Sequence, residues 1–122
     1  MNSKQYRIQN PRCEYCAVLP DNLPKSVRFG MELEHIWGRG PHCEVVSNWA
    51  MTCPSCHDFK TGRGSVIARI GITYVKSLKG ECDWDELRLA SGLDVRGWCA
   101  VKRDTYPMNE YYKEMCDEIA RR

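Results

Sequence analysis

The sequence predicts a small α+β domain, in which a β-hairpin and a short helix are held together by four cysteines. Its 122 residues are enough for one domain and too few for two with separate cores. Two Cys-x2-Cys pairs, 13–16 and 53–56, enclose a hairpin-like segment that contains a glycine-rich turn. We therefore expect a single domain over 1–122, with its core at about 10–64 and a mainly helical extension at about 65–122.

Composition places the chain among globular proteins, with 43% apolar and 28% charged residues. It lacks the ~20 consecutive apolar residues of a membrane span, and its first residues lack the apolar region of a secretory signal. We expect a cytoplasmic protein with no membrane partner. The formal net charge of +2 is too small to indicate a nucleic-acid partner by itself.

The eight cysteines are the strongest compositional signal. Without a secretory signal, closely spaced pairs indicate metal ligands more often than disulfides. Four thiolates complete the tetrahedral coordination of a structural zinc ion, and the predicted ligands are Cys13, Cys16, Cys53 and Cys56. The other four are expected to be small buried apolar residues, and they are Cys43, Cys82, Cys99 and Cys116.

Between the two pairs, the pattern predicts a loop and then a hairpin. Residues 18–26 contain two prolines and several turn formers, which is typical of a loop. Residues 27–37 can form a strand, and the Gly-Arg-Gly-Pro run at 38–41 must turn the chain. The returning strand is predicted from four apolar residues, Val45, Val46, Trp49 and Met51.

Helices are predicted from the second cysteine pair onward. Pro54 suits the first turn of a helix over 54–61, and Gly62 suits its end. Apolar residues at helical spacing predict another helix over 67–78. Two more are predicted from their caps, one between Asp83 and Gly92 and one that begins after Asn109.

The residues around the hairpin form a recognisable pattern. In order, it reads Cys13-x2-Cys16, Glu34-His35-Ile36-x-Gly38-Arg39, Asn48, and Cys53-x2-Cys56-His57-x2-Lys60. This pattern, over residues 13–63, resembles the zinc-containing HNH endonucleases. The resemblance implies a ββα-metal core that hydrolyses DNA with one divalent cation, and small stand-alone members of that family often occur in phages.

The same resemblance implies a role for each residue of the pattern. His35 would act as the general base on water, and Asn48 would orient it. Glu34 and His57 would bind the cation, with Glu34 standing where many members carry His or Asp. Mg²⁺ or Mn²⁺ is the expected cation, and Ni²⁺ or another divalent ion also suits an imidazole ligand.

Duplex DNA is the partner that the resemblance implies. Arg39 and Lys60 occupy family-like positions and are expected to contact phosphates, while the role of Arg63 stays open. Residues 86–98 are only faintly similar to a helix-turn-helix, and a packing role is the favoured interpretation. With no clear element for reading bases, we expect weak sequence specificity.

Two other functions stay open on the sequence alone. The chain could be a catalytically silent zinc module that binds nucleic acid or a protein partner. It could also be a redox or regulatory zinc switch, which would require reactive thiols. Taken singly, Glu34, His35, Asn48 and His57 each have an ordinary structural explanation, and only their joint spacing favours an active site.

Overall fold

The computed structural model describes all 122 residues and contains six α-helices, one 3₁₀ turn and a two-stranded antiparallel sheet. In chain order the elements are α1 (Ser3–Gln9), β1 (Glu32–His35), the 3₁₀ turn (Val46–Asn48), β2 (Trp49–Thr52), α2 (Pro54–Thr61), α3 (Ser65–Leu78), α4 (Trp84–Ser91), α5 (Val95–Thr105) and α6 (Glu110–Ala120). The predicted α+β class is confirmed. None of these helices has both the length and the apolar character needed to cross a membrane.

The hairpin is the element that carries most of the predicted site. In its register Glu34 lies opposite Ala50, and His35 lies opposite Trp49. Because side chains alternate along a strand, Glu32 and Glu34 share one face of β1 and His35 lies on the other. All four residues of β2 are buried, so the hairpin is anchored in the protein interior through β2.

Both strands are shorter than predicted. Val27 precedes β1 and is 91% exposed. Val45 caps the 3₁₀ turn and Val46 begins it, so neither belongs to the returning strand. Pairing stops because the buried Asn48 side chain holds the intervening loop through hydrogen bonds to its backbone, which cannot then extend the ladder.

Helix α2 has the predicted bounds. Cys53 is its N-cap, Pro54 occupies the first turn, and Gly62 ends it. The link to α3 is short because Gly64 lets the chain pass directly over the Phe59 ring, where an added Cβ would lie 2.0 Å from a ring carbon. This contact keeps α3 close to the helix that carries His57.

The helical extension forms a second cluster around α3, α5 and α6. The predicted helix ending at Gly92 is confirmed, and Gly92 adopts the positive φ of 74° that favours glycine. The helix capped by Asn109 is also confirmed, with its Oδ1 accepting from Tyr112 N at 3.2 Å. Cys43, Cys99 and Cys116 are buried as expected, while Cys82 is half-buried.

Two helices were not predicted. Helix α1 buries only Tyr6, so it has no apolar periodicity to detect. Helix α5 covers part of the segment that was faintly similar to a helix-turn-helix. It packs against α6, and its Trp98 meets Trp37 edge to face at 5.0 Å. These contacts are those of a packing element.

A buried polar network joins α1, the sheet and α3. The Lys76 ammonium is fully buried and donates to the Tyr6 hydroxyl at 3.0 Å and to the Trp49 carbonyl at 2.7 Å. The Tyr6 hydroxyl in turn donates to Glu14 Oε2 at 2.6 Å. The pKa of Lys76 is lowered because its ammonium is buried, and the charges of Glu81 and Glu14 offset part of that shift.

The cap of α4 gives a direct test of this fold. Asp83 Oδ1 accepts hydrogen bonds from the backbone N–H groups of Asp85 and Glu86, whereas Asp94 caps α5 without a side-chain hydrogen bond. We expect Asp83→Ala to lower the free energy of unfolding by about 1 kcal/mol. Asp94→Ala is the matched control, with a smaller loss. Urea unfolding of both variants measures the difference, and equal losses would contradict the capping contact.

Candidate functional site

The four cysteines of the two Cys-x2-Cys pairs converge. Their sulfur atoms all lie within 4.8 Å of one another. Cys16 Sγ is 3.8 Å from Cys53 Sγ and 3.7 Å from Cys56 Sγ. Sulfurs bound tetrahedrally to zinc at ~2.3 Å lie about 3.8 Å apart. The cluster could therefore hold a metal such as zinc.

The pKa values of three of these thiols are shifted because the sulfurs are buried close together. A hydrogen bond from Cys56 lowers the pKa of Cys13, and this same contact raises the pKa of Cys56. Burial, together with the neighbouring Cys13, raises the pKa of Cys16. With no cation, one negative charge is favoured and further thiolates are opposed by repulsion. A divalent cation at the centre would relieve that repulsion.

Glu34 and His57 meet between β1 and α2. Glu34 Oε1 lies 3.2 Å from His57 Nδ1, and the two atoms are not aligned as a hydrogen bond. Glu34 Oε2 is buried and has no hydrogen-bond partner, although burial and, after it, the Glu34 charge raise the pKa of the neighbouring Tyr15. Two adjacent ligands of an octahedral cation at ~2.1 Å lie about 3 Å apart. Glu34 Oε1 and His57 Nδ1 could thus bind one divalent cation together.

The surroundings of that pair are mostly charged. Glu32, on the same face of β1, has a carboxylate oxygen 4.0 Å from His57 Nδ1. Arg28 bridges Glu32 at 3.2 Å and Asp58 at 2.5 Å, which ties the start of the hairpin to α2. The side chains of Glu32 and Asp58 are about half exposed, so this outer rim is open to solvent.

Lys60 has a different environment from the one predicted for a phosphate contact. Its ammonium lies 2.8 Å from Glu34 Oε1 and 3.3 Å from the His35 carbonyl, and its side chain is only 7% exposed. The pKa of Lys60 is lowered because its ammonium is buried, and the Glu34 charge offsets part of that shift. Lys60 therefore forms an internal ion pair, and it would have to leave Glu34 to reach a phosphate.

Arg39 lies on the surface, in the loop that follows β1. It is exposed and forms no ion pair in the structure, and its positive charge contributes to lowering the pKa of Lys60. Arg69 on α3 contributes in the same way, and its Nε donates to the Ile36 carbonyl at 3.1 Å. The phosphate contact of Arg39 stays a prediction, and Arg69 is a second cation near the site.

His35 belongs to a separate set of contacts. Its Nε2 pairs with Glu44 Oε1, and the Cys43 thiol donates to the same oxygen at 3.3 Å. This pairing with His35 lowers the pKa of Glu44. The other ring nitrogen, Nδ1, is buried and has no protein partner. The imidazole is thus held from one side only.

Asn48 acts on the backbone rather than on the imidazole. Its fully buried side chain accepts from Trp37 N at 2.7 Å and donates to the carbonyls of Gly38 and Cys43, each at 3.0 Å. None of these contacts reaches His35. Of the two partners that the sequence left open for Asn48, backbone or imidazole, the structure shows the backbone of the loop that follows β1. Its orientation of the base stays a prediction and would act through this loop.

Sequence reasoning missed Glu44 and Glu32. Glu44 lies in the irregular loop between the strands, where no periodicity assigns a direction to a side chain. Glu32 could have been found, because its place two residues before Glu34 puts both carboxylates on one face of β1.

The loop held by Asn48 can be tested by substitution. We expect Asn48→Ala to lower the free energy of unfolding by about 3 kcal/mol, because buried backbone groups lose their partners. Asn48→Asp should also destabilise, since a carboxylate cannot donate to the Gly38 and Cys43 carbonyls. The exposed Asn22→Ala is the control, within about 0.5 kcal/mol of wild type. A mild effect in urea unfolding would contradict the role given to Asn48.

Known proteins provide no template for this site. Comparison of the chain with protein-family models, curated proteins and solved structures found no match.

Proposed function

We propose that this protein is a metal-dependent endonuclease that hydrolyses DNA phosphodiester bonds, with a structural zinc ion on the four-cysteine cluster. The observation that carries the proposal is the approach of Glu34 Oε1 to His57 Nδ1 at 3.2 Å, without a hydrogen bond. A carboxylate and an imidazole placed in this way suit Mg²⁺, Mn²⁺ or Ni²⁺.

The steps of phosphodiester hydrolysis can be assigned to a few side chains. Phosphodiester hydrolysis requires an activated water and a means of neutralising charge at phosphorus. A divalent cation held by Glu34 and His57 would supply that charge neutralisation. His35 accepts the proton of the attacking water, since a neutral imidazole is a competent base near neutral pH. Asn48 and Lys60 hold the backbone and the carboxylate in place.

Duplex DNA is the substrate that we propose. Arg39 is exposed near the centre and can neutralise a phosphate without reading a base. The packing of α5 against α6 and of Trp98 against Trp37 supports a packing role for this helix. We therefore propose cleavage with weak sequence specificity.

One observation favours a second candidate function, a catalytically silent zinc module. The Lys60 ammonium already neutralises Glu34 at 2.8 Å, so this carboxylate has a charge partner without any added cation. In such a module Glu34 and Lys60 would be a structural ion pair. Binding of Mn²⁺ at Glu34 and His57 distinguishes the two functions, because only the endonuclease requires it.

The zinc proposal predicts one zinc ion per chain. Cys16→Ser should lose the metal and the cooperative unfolding transition, since structural zinc supplies ~10–16 kcal/mol of apparent binding free energy in small finger peptides. Cys82→Ser is the matched control, because Cys82 lies outside the cluster and makes only a weak 3.7 Å contact to a carbonyl. Elemental analysis and thermal unfolding measure both effects. Unchanged stability of a metal-free preparation would reject a structural zinc.

The endonuclease proposal predicts that supercoiled plasmid is cleaved in Mg²⁺ or Mn²⁺ and is protected by EDTA. His35→Ala should slow cleavage by ~10²- to 10⁴-fold and retain Mn²⁺ affinity, because it removes only the base. His57→Ala and Glu34→Gln should weaken Mn²⁺ binding itself, as measured by calorimetric titration. Gln is chosen at position 34 because its oxygen still accepts from Lys60.

The exposed His42 supplies the control for these variants, because it lies outside the predicted pattern. His42→Ala should cleave and bind Mn²⁺ as wild type does. Equal loss of Mn²⁺ affinity in the His35, His57 and Glu34 variants would reject the division of roles. No Mn²⁺ binding and no cleavage by the wild-type protein would favour the silent zinc module.

A further inference from the structure

We propose that Glu44 is the positioning residue of the general base, and that it fixes which nitrogen of His35 accepts the proton. This inference deepens the proposed endonuclease function and depends on it. It starts from the contact of His35 Nε2 with Glu44 Oε1. The carboxylate comes from the loop between the strands, outside the residues that the sequence pattern singles out.

The contact determines the tautomer of the ring. An ionised carboxylate can only accept a hydrogen bond, so the hydrogen of a neutral His35 ring must lie on Nε2. Nδ1 then carries the free lone pair. In the structure Nδ1 is buried and has no protein partner, so its lone pair is free, and water or substrate must enter beside the ring to reach it.

Asn48 has no group left for this task. Both hydrogens of its amide are donated to the carbonyls of Gly38 and Cys43, and its oxygen accepts from Trp37 N. Its influence on the base is indirect, because it fixes the Cys43 carbonyl and so the backbone that leads into Glu44. The side chain that touches the imidazole is Glu44.

Two features keep the Glu44 carboxylate in its role. The Cys43 thiol donates to the same oxygen at 3.3 Å, which limits the positions that the carboxylate can adopt. The Glu44 side chain is also 62% exposed, so water solvates its charge, whereas the His35 side chain is only 11% exposed. A solvated carboxylate therefore stabilises a shielded imidazole.

The proposed step is a simple proton transfer coupled to attack on phosphorus. The water gives one proton to Nδ1 of His35, and its oxygen forms a bond to phosphorus. The bond from phosphorus to the leaving sugar oxygen breaks, and that oxygen takes a proton from solvent. The imidazolium that forms keeps its Nε2 hydrogen bond to Glu44, which stabilises the positive charge and remains ionised.

Three substitutions and a matched control test the proposal. Glu44→Gln and Glu44→Ala should slow single-turnover plasmid cleavage by ~10- to 100-fold, the range found for groups that orient an active-site histidine ligand. Glu44→Asp should recover part of the rate. Mn²⁺ affinity and the KM for DNA should not change, because Glu44 is not proposed to contact either. The control is Glu114→Gln, which should match wild type. Glu114 is exposed like Glu44 but, unlike Glu44, forms no ion pair.

A second readout does not depend on cleavage. The ¹⁵N chemical shifts of the His35 ring, measured in zinc-loaded protein without added Mn²⁺, report the tautomer of the neutral imidazole. Wild type should carry its hydrogen on Nε2, and Glu44→Ala should show a mixture of tautomers. Urea unfolding of each variant identifies any that lose their fold, and the exposed position of Glu44 makes such a loss unexpected.

The possible results separate the two proposals. Slower cleavage with an altered tautomer supports the role of Glu44. Wild-type rates and a wild-type tautomer in Glu44→Ala would overturn it and leave the endonuclease function standing. If wild type cleaves no DNA while the tautomer still depends on Glu44, the positioning contact is supported and the proposed endonuclease function is overturned.

Discussion

The convergence of four cysteine sulfurs is the constraint on which the site depends. Cys53 and Cys56 lie where β2 passes into α2, so any ion held there fixes the angle between the strand and the helix. His57 is the next residue of that helix and Lys60 lies one turn further on. The approach of both side chains to Glu34 therefore depends on the junction at which the cluster lies.

At the centre beside this junction, one ammonium and one imidazole approach a single carboxylate oxygen. Lys60 occupies Glu34 Oε1, while His57 approaches the same atom and Oε2 is left without a partner. A buried carboxylate with an unused oxygen is costly unless another positive group completes it. The ion pair with Lys60 thus holds the Glu34 side chain in place, and Oε2 is left available for a further ligand.

The sequence was informative where local rules act and silent where long-range contacts decide. Cysteine spacing predicted the cluster, and Pro54, Gly92 and Asn109 predicted helix ends, because each effect is confined to a few neighbouring residues. The strand ends were wrong, because Asn48 holds a loop that no local pattern describes. The environment of Lys60 and the contact of Glu44 also depend on residues brought together only by the fold.

The buried Lys76 links positions that are far apart in the chain. Its ammonium meets the Tyr6 hydroxyl across a separation of 70 residues, and Tyr6 reaches Glu14 beneath the sheet. Loss of the phenol oxygen alone would leave a buried charge with fewer partners. In related sequences we therefore expect coordinated replacement of the three residues of this network, Tyr6, Glu14 and Lys76. Covariation among them would show that one buried ammonium constrains the sequence of the first helix.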